Sequence, residues 1–215
     1  MHQKSMKKIY LYSKFERFWH WFQAVTIILL LLTGFEIHGS FELLGFMGAV
    51  DLHNTVGLLW LGMFFFFVFW MFVTHEYKQY IPTTKKLFEV VRYYSSGIFK
   101  GEDHPVHKSL SAKHNPMQRL TYLGLTAILL PFQMVTGFLY WGYNNWADWG
   151  LSFLSLRVVA VLHLIGGFAL LIFLIIHVYM TTTGHSVTAH VAAMFSGWEE
   201  VPEDFEVEEW EKKSS

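Results

Sequence analysis

The chain has 215 residues, of which 53% are hydrophobic and 19% aromatic but only 15% charged, where a soluble domain carries about 25% charged residues. The formal net charge of −1 excludes the basic footprint of a nucleic-acid-binding protein. Cysteine is absent, which excludes disulfides, Cys-ligated zinc, Cys-held iron–sulfur clusters and thioether-linked haem from this chain.

In chain order, a short basic stretch (Lys4, Lys7, Lys8) leads into an apolar block from Phe18 to Ile37, FWHWFQAVTIILLLLTGFEI. No small-x-small cleavage site follows it, so it reads as a retained helix rather than a secretory signal. A second block runs from Leu52 to Val73, a third from Leu120 to Trp141 and a fourth from Val158 to Met180. Each supplies the roughly 20 residues that a helix needs to cross a bilayer. Buried helices of a soluble protein would not give four such blocks in so small a chain. Pro131 in the third block predicts a kink that neighbouring helices can satisfy. The expected fold is an all-α, integral membrane four-helix bundle forming one domain over 1–215, with no sequence repeat evident. Lys85–Phe99 mixes basic and apolar residues in a helix-like pattern and is expected to lie along the membrane interface, as is His185–Trp198. The acidic end, 199–215, is expected to be solvated or disordered.

Charge placement predicts orientation. Of 16 Lys and Arg, five precede the first helix, eight lie in the 74–119 loop, two end the tail, and Arg157 alone lies in the remaining loops. By the positive-inside rule, both termini and the 74–119 loop are expected on the cytoplasmic side of a bacterial inner membrane. The loops Gly39–Asp51 and Gly142–Leu156 then face outward.

An ionisable residue inside a span is costly and points to function. Four of the 12 histidines lie in the spans: His20, His53, His163 and His177. By depth they form two pairs, His20 with His177 towards the inner face and His53 with His163 towards the outer. His163 and His177 are 14 residues apart, about 21 Å of helical rise, and nearly on one helix face. One helix therefore offers imidazole to two centres stacked across the membrane. Bis-histidine ligation of haem, with the haems held between helices, suits this pattern. An interhelical hydrogen bond or a small metal such as zinc are the competing readings, though zinc would lack nearby Cys and carboxylate ligands. Gly34, Gly57, Gly137, Gly166 and Gly167 leave room for close approach of a macrocycle or a backbone. His75 is an alternative partner for His177. His38 reads as interfacial, and His2, His104, His107, His114, His185 and His190 as solvated.

The segments KFERFWHW at Lys14–Trp21, LHNTVG at Leu52–Gly57, KHNPMQR at Lys113–Arg119, and LHLIGG with IIHVYM in the fourth block carry a resemblance. Together they resemble the di-haem cytochrome b subunits of formate dehydrogenases, nickel–iron hydrogenases and thiosulfate reductases, the bacterial cytochrome b561-like superfamily. The likeness extends from Lys14 to about Trp198 and is nearest to the formate dehydrogenase gamma subunit. It implies two haems b, with axial pairs His20/His177 on the cytoplasmic side and His53/His163 on the periplasmic side. It also implies a quinone (menaquinone or ubiquinone) held by Asn115 beside the inner haem; Pro116 and Met117 stand where the formate dehydrogenase type has small residues. Arg17, Lys113 and Arg119 are candidate contacts for haem propionates or the quinone head group, and lipid phosphates are an equal claim on them.

The expected role is that of a membrane anchor and quinone-reactive electron-transfer subunit, joining a periplasmic redox subunit (iron–sulfur or multihaem cytochrome, with a catalytic subunit) to the quinone pool. With no Rossmann glycine motif, P-loop or nucleophile constellation, no catalytic residue is assigned, and substrate chemistry belongs to another subunit. The alternatives are a stand-alone cytochrome b561-type oxidoreductase acting on superoxide or another small donor, and a transporter or channel with pore histidines. Phe41, Leu43, Phe46, Trp146 and Trp149, edged by Glu36, Glu42, Asp51 and Asp148, form the expected outer docking surface, with rest at the lipid interface an equal alternative.

Overall fold

The structure, a computed structural model, describes residues 6–102, 104–106, 113–183 and 186–202. It carries seven α-helices among these residues: α1 Lys14–Ile37, α2 Phe46–Val73, α3 Leu87–Arg92, α4 Pro116–Gly124, α5 Leu130–Trp141, α6 Leu156–Thr181 and α7 Ala189–Ser196. A π-turn over Leu125–Leu129 joins α4 to α5. Lys14–Ile37, Phe46–Val73, Pro116–Trp141 and Leu156–Thr181, of 24, 28, 26 and 26 residues, are long and apolar enough to cross a membrane. The protein is therefore a mostly helical, multi-pass membrane protein.

Each span starts earlier than its apolar block. The second begins six residues before Leu52, because Glu36 organises the turn ahead of it. Its Oε1 accepts the backbone N–H groups of Leu43 at 2.7 Å, Leu44 at 2.5 Å and Gly45 at 2.9 Å. Gly45, at φ +74°, then turns the chain into the helix. In the third span the kink expected at Pro131 takes the form of the π-turn. Proline cannot donate to residue 127 and its ring crowds that carbonyl, and one widened turn relieves both.

Two elements lie outside the helical expectation. Strand β1, Met6–Tyr10, pairs antiparallel with β2, Trp198–Pro202, from Met6 opposite Pro202 to Tyr10 opposite Trp198. The first residues of the acidic tail are thus a strand, in which Glu199 and Val201 are buried at 5% and 4% exposure while Trp198 is exposed at 50%. That period-2 alternation holds Glu199 in place, with its Oε1 3.1 Å from His190 Nδ1. The tail beyond residue 202 lies outside the described residues. Of the segment 85–99, expected at the interface, Leu87–Arg92 is helical and continues as a π-turn over Tyr93–Gly97. Of the segment 185–198, residues 189–196 form α7, closed by Gly197 at φ +88°.

The chain falls into two compact units, one of Met1–Phe18, Trp70–Leu125 and Val178–Ser215, the other of Trp19–Phe69 and Thr126–His177. In the first unit, Leu11 and Val90 are buried, and the chain after β1 is tied to the Gly197 carbonyl through the Leu11 and Tyr12 amides at 2.8 and 3.2 Å. In the second, Trp19 stacks on Phe67 at 4.3 Å, and the buried Trp60 donates its indole N–H to Gln23.

Candidate functional site

The second unit brings together the four intramembrane histidines as two facing pairs. His20 of α1 and His177 of α6 have ring centres 6.0 Å apart with planes at 48°. His53 of α2 and His163 of α6 have ring centres 6.1 Å apart with planes at 82°. A metal–imidazole bond of about 2.0–2.1 Å on each side, with about 1.1 Å from nitrogen to ring centre, puts two ligand rings about 6.3 Å apart across one metal. Both observed separations match that span. Among the described residues no group of three or more His, Cys, Asp or Glu side chains gathers as a metal site. Each pair consists of two imidazoles, where a closed zinc site takes four protein ligands.

The surroundings of the two pairs differ. Phe173 stacks beside His177 at 5.6 Å, Trp21 packs edge-on to His20 at 5.1 Å, and His20 Nδ1 is buried without a hydrogen-bond partner. At the other pair, Thr33 Oγ1 lies 2.9 Å from His53 Nδ1 and Thr136 Oγ1 lies 3.1 Å from His163 Nδ1. Gln133 Nε2 lies 3.3 Å from His163 Nε2, while its buried Oε1 has no partner.

The glycines do not all provide open space. A Cβ on Gly34 would stand 3.4 Å from His53 Cε1, and one on Gly137 would stand 2.9 Å from His163 Cε1. Their function is to admit the imidazole edges. A Cβ on Gly166 would collide with Gln133, and one on Gly57 would only touch Leu30 at 3.9 Å, whereas Gly167 faces open space. Sequence reasoning missed Thr33, Thr136 and Gln133. A signal existed: the triplet Thr-Gly-Phe occurs at 33–35 and again at 136–138, a short recurrence where no repeat was expected.

Asn115 and the three basic residues lie in the first unit. Asn115 is 7% exposed and is the N-cap of α4. Its Oδ1 accepts the Gln118 N–H at 2.9 Å, and Gln118 Oε1 accepts the Asn115 N–H at 3.0 Å, a reciprocal capping box. The amide Nδ2 lies 3.4 Å from the Tyr94 hydroxyl. With its oxygen engaged in the cap and one amide N–H directed at Tyr94, Asn115 retains one further N–H that could donate to a ligand carbonyl. Lys113 Nζ donates to Glu16 at 2.6 Å and to Glu76 at 3.4 Å. Arg17 donates to the Phe195 carbonyl, and its other terminal nitrogen lies 3.4 Å from Tyr10 Oη. Arg119 Nε donates to the His114 carbonyl at 3.1 Å. Burial and the nearby Glu199 and Glu16 carboxylates push the Tyr12 phenol well above its ordinary value. Burial, Tyr122, and the Glu16 and Glu76 carboxylates do the same to Tyr80.

Several outlying histidines are packed rather than solvated. The His104 ring sits 4.8 Å from that of Tyr93, and its Nε2 is 3.2 Å from Tyr94 Oη. His114 lies between Tyr80 and Tyr122 at 5.3 and 5.0 Å. These rings offer more contact than the polar sequence around them suggests. His75 is exposed, has a left-handed backbone at φ 61°, and its ring lies 6.2 Å from that of Tyr77. His38 is exposed at the end of α1. His2, His107 and His185 lie outside the described residues.

Comparison with known proteins follows the same lines. The description "Prokaryotic cytochrome b561" matches residues 11–197. The chain is 31% identical to "Putative cytochrome YdhU" of Escherichia coli K12, over 89% of this chain and 75% of that protein. It is 26% identical to the "Probable Ni/Fe-hydrogenase B-type cytochrome subunit" of Rhodobacter capsulatus, over 88% of this chain and 80% of that one. The "Probable Ni/Fe-hydrogenase 1 B-type cytochrome subunit" of Escherichia coli K12 is 23% identical, with 84% and 86% covered. No solved structure matches. With four apolar spans and a family match over most of its length, the chain belongs to the prokaryotic cytochrome b561 family.

Proposed function

We propose that the chain is a di-haem b membrane anchor and electron-transfer subunit, linking a redox partner on the periplasmic side to the quinone pool of a bacterial inner membrane. The family implies b-type haem, which supplies one-electron chemistry when bound. The observation that carries the di-haem reading is the separation within each histidine pair, 6.0 and 6.1 Å between ring centres, the span of two imidazoles across one metal. His20 with His177, and His53 with His163, would hold one haem each. The buried His20 Nδ1 and Gln133 Oε1, both without partners, also fit sites whose polar groups serve a bound group.

The remaining residues of the proposal are expected ligand contacts. Asn115 would donate one amide N–H to a quinone carbonyl. Arg17, Lys113 and Arg119 would neutralise propionates or lipid phosphates, in competition with the protein partners each already has. Relatives named as hydrogenase cytochrome subunits support a separate catalytic partner, and an iron–sulfur or multihaem subunit would exchange electrons between it and this chain. The fifteen-to-one distribution of Lys and Arg supports cytoplasmic termini.

A reduced-minus-oxidised spectrum with haem quantification tests the reading. The wild-type protein is expected to hold two haems b, His53→Ala one, and His177→Ala the other one. Two haems retained in His53→Ala would overturn the ligand assignment, and the absence of any b-type signal in the wild type would overturn the redox function.

A further inference from the structure

We propose that Thr33–Gly34 and Thr136–Gly137 form a repeated imidazole clamp, which presents Nε2 of His53 and of His163 as the ligand atom and makes the haem between them electron-rich. This rests on the haem reading above and concerns positioning residues, which touch the proposed ligands His53 and His163.

The tautomer follows from counting protons. A threonine hydroxyl has one proton and two lone pairs. Thr33 Oγ1 is 2.7 Å from the Leu29 carbonyl and 3.3 Å from that of Leu30. Thr136 Oγ1 is 2.8 Å from the Phe132 carbonyl and 3.1 Å from that of Gln133. Two oxygens that close need a proton between them, so each hydroxyl spends its proton within its own helix. What remains towards histidine is a lone pair. His53 Nδ1 at 2.9 Å and His163 Nδ1 at 3.1 Å must then be the donors. Each neutral ring therefore carries its proton on Nδ1 and has its lone pair on Nε2.

The glycine fixes the ring's seat. The residue after each threonine is the one whose Cβ would reach His Cε1, at 3.4 Å for Gly34 and 2.9 Å for Gly137. The same dipeptide on α1 and on α5 thus grips a histidine on the following span, α2 and α6. Both threonines are buried, at 3% and 6% exposure, so water does not compete for the bond. The His20/His177 pair lacks the device: His20 Nδ1 is buried with no partner.

An acceptor on Nδ1–H raises the basicity of the ligating nitrogen, which favours the oxidised metal. The clamp therefore lowers the potential of the His53/His163 haem and leaves the other haem alone. Thr33→Val and Thr136→Val keep the shape and remove the acceptor; Thr33→Ser and Thr136→Ser keep it. An optical redox titration of the purified protein, with ferric EPR, reads the effect. In the valine variants, the potential of the haem that His53→Ala removes is expected to shift upward, its EPR signature to change, and its affinity for the protein to fall about tenfold or more. The serine variants should restore all three, and the second haem should not move. Loss of that haem in valine but not serine variants would also support the clamp. An unchanged potential and EPR signature in the valine variants, or haem loss in serine and valine variants alike, would overturn it. A wild type without b-type haem would sink the parent reading instead.

Discussion

Lys113 shows how much one side chain can be constrained by charges distant in sequence. Its ammonium meets Glu16 at 2.6 Å and Glu76 at 3.4 Å, and the residue is 8% exposed. Nothing in the segment KHNPMQR announces that bridge, because both carboxylates come from elsewhere in the chain. Lys113→Met removes the cation and leaves two carboxylates facing the same space. The expected cost is about 1–3 kcal/mol, below the about 3–5 kcal/mol of a fully buried pair because the two glutamates are partly exposed. A thermal melt in detergent checks it, and a melting temperature equal to that of the wild type would refute it. The same cluster bears on two phenols. Tyr12 and Tyr80 titrate above the ordinary tyrosine range, so the un-ionised rings are favoured in the fold. Their contribution is fully present below about pH 10 and is lost as pH rises through the higher native values. Phenolate absorbance at pH 11 should leave these two of the 10 tyrosines un-ionised until the protein unfolds; Tyr12→Phe and Tyr80→Phe identify them.

At the level of elements, α4 begins where Asn115 caps it, so one residue carries a structural duty and a proposed ligand contact. The two separate by substitution. Asn115→Ala removes the cap and is expected to cost about 1 kcal/mol of stability. Asn115→Ser keeps an oxygen for the Gln118 N–H but deletes the amide donor. It should retain the melting temperature and both haem spectra while slowing turnover with quinone. Wild-type quinone kinetics in the serine variant would leave Asn115 as a cap alone. The helices themselves were legible from their apolar runs, but their first turns were not. The second span starts at Phe46 because a carboxylate collects three backbone N–H groups ahead of it, an interaction that hydropathy does not register. The Pro131 disturbance was readable in kind; its resolution as a π-turn over Leu125–Leu129 was not.

For the whole molecule, one surface that bears on a partner is the set of exposed apolar residues in the loops that join the spans in the second unit. Leu43 is 74% exposed, Phe46 62% and Phe153 79%, whereas Trp146 is buried at 7% with its Nε1–H donated to the Leu139 carbonyl at 3.0 Å. The expected docking surface thus loses Trp146 and gains Phe153. Trp149, at 41% exposure, is stacked on Phe138 at 5.7 Å and is partly committed to the fold. Phe46→Asp is expected to release the partner subunit on co-purification while both haem spectra stay intact, since a charge at an apolar contact must be desolvated to bind. Cross-links from the partner to 74–119 in place of these loops would refute the docking side.

The sequence by itself determined the number of spans, because a bilayer demands some 20 apolar residues at a stretch and only four blocks meet the demand. It also singled out the four histidines, since an ionisable group inside such a block is costly enough to require a purpose. Composition settled that cysteine chemistry is absent. Tertiary structure alone decided how the imidazoles are held. A threonine one turn from a carbonyl becomes an acceptor for a histidine only when another helix delivers the ring to it, and a glycine becomes a seat only when an imidazole edge fills the space. The pairing of Met6–Tyr10 with Trp198–Pro202 belongs to the same class: each strand is too short and too polar to be read alone, and its hydrogen bonds are satisfied by a partner nearly the whole chain away.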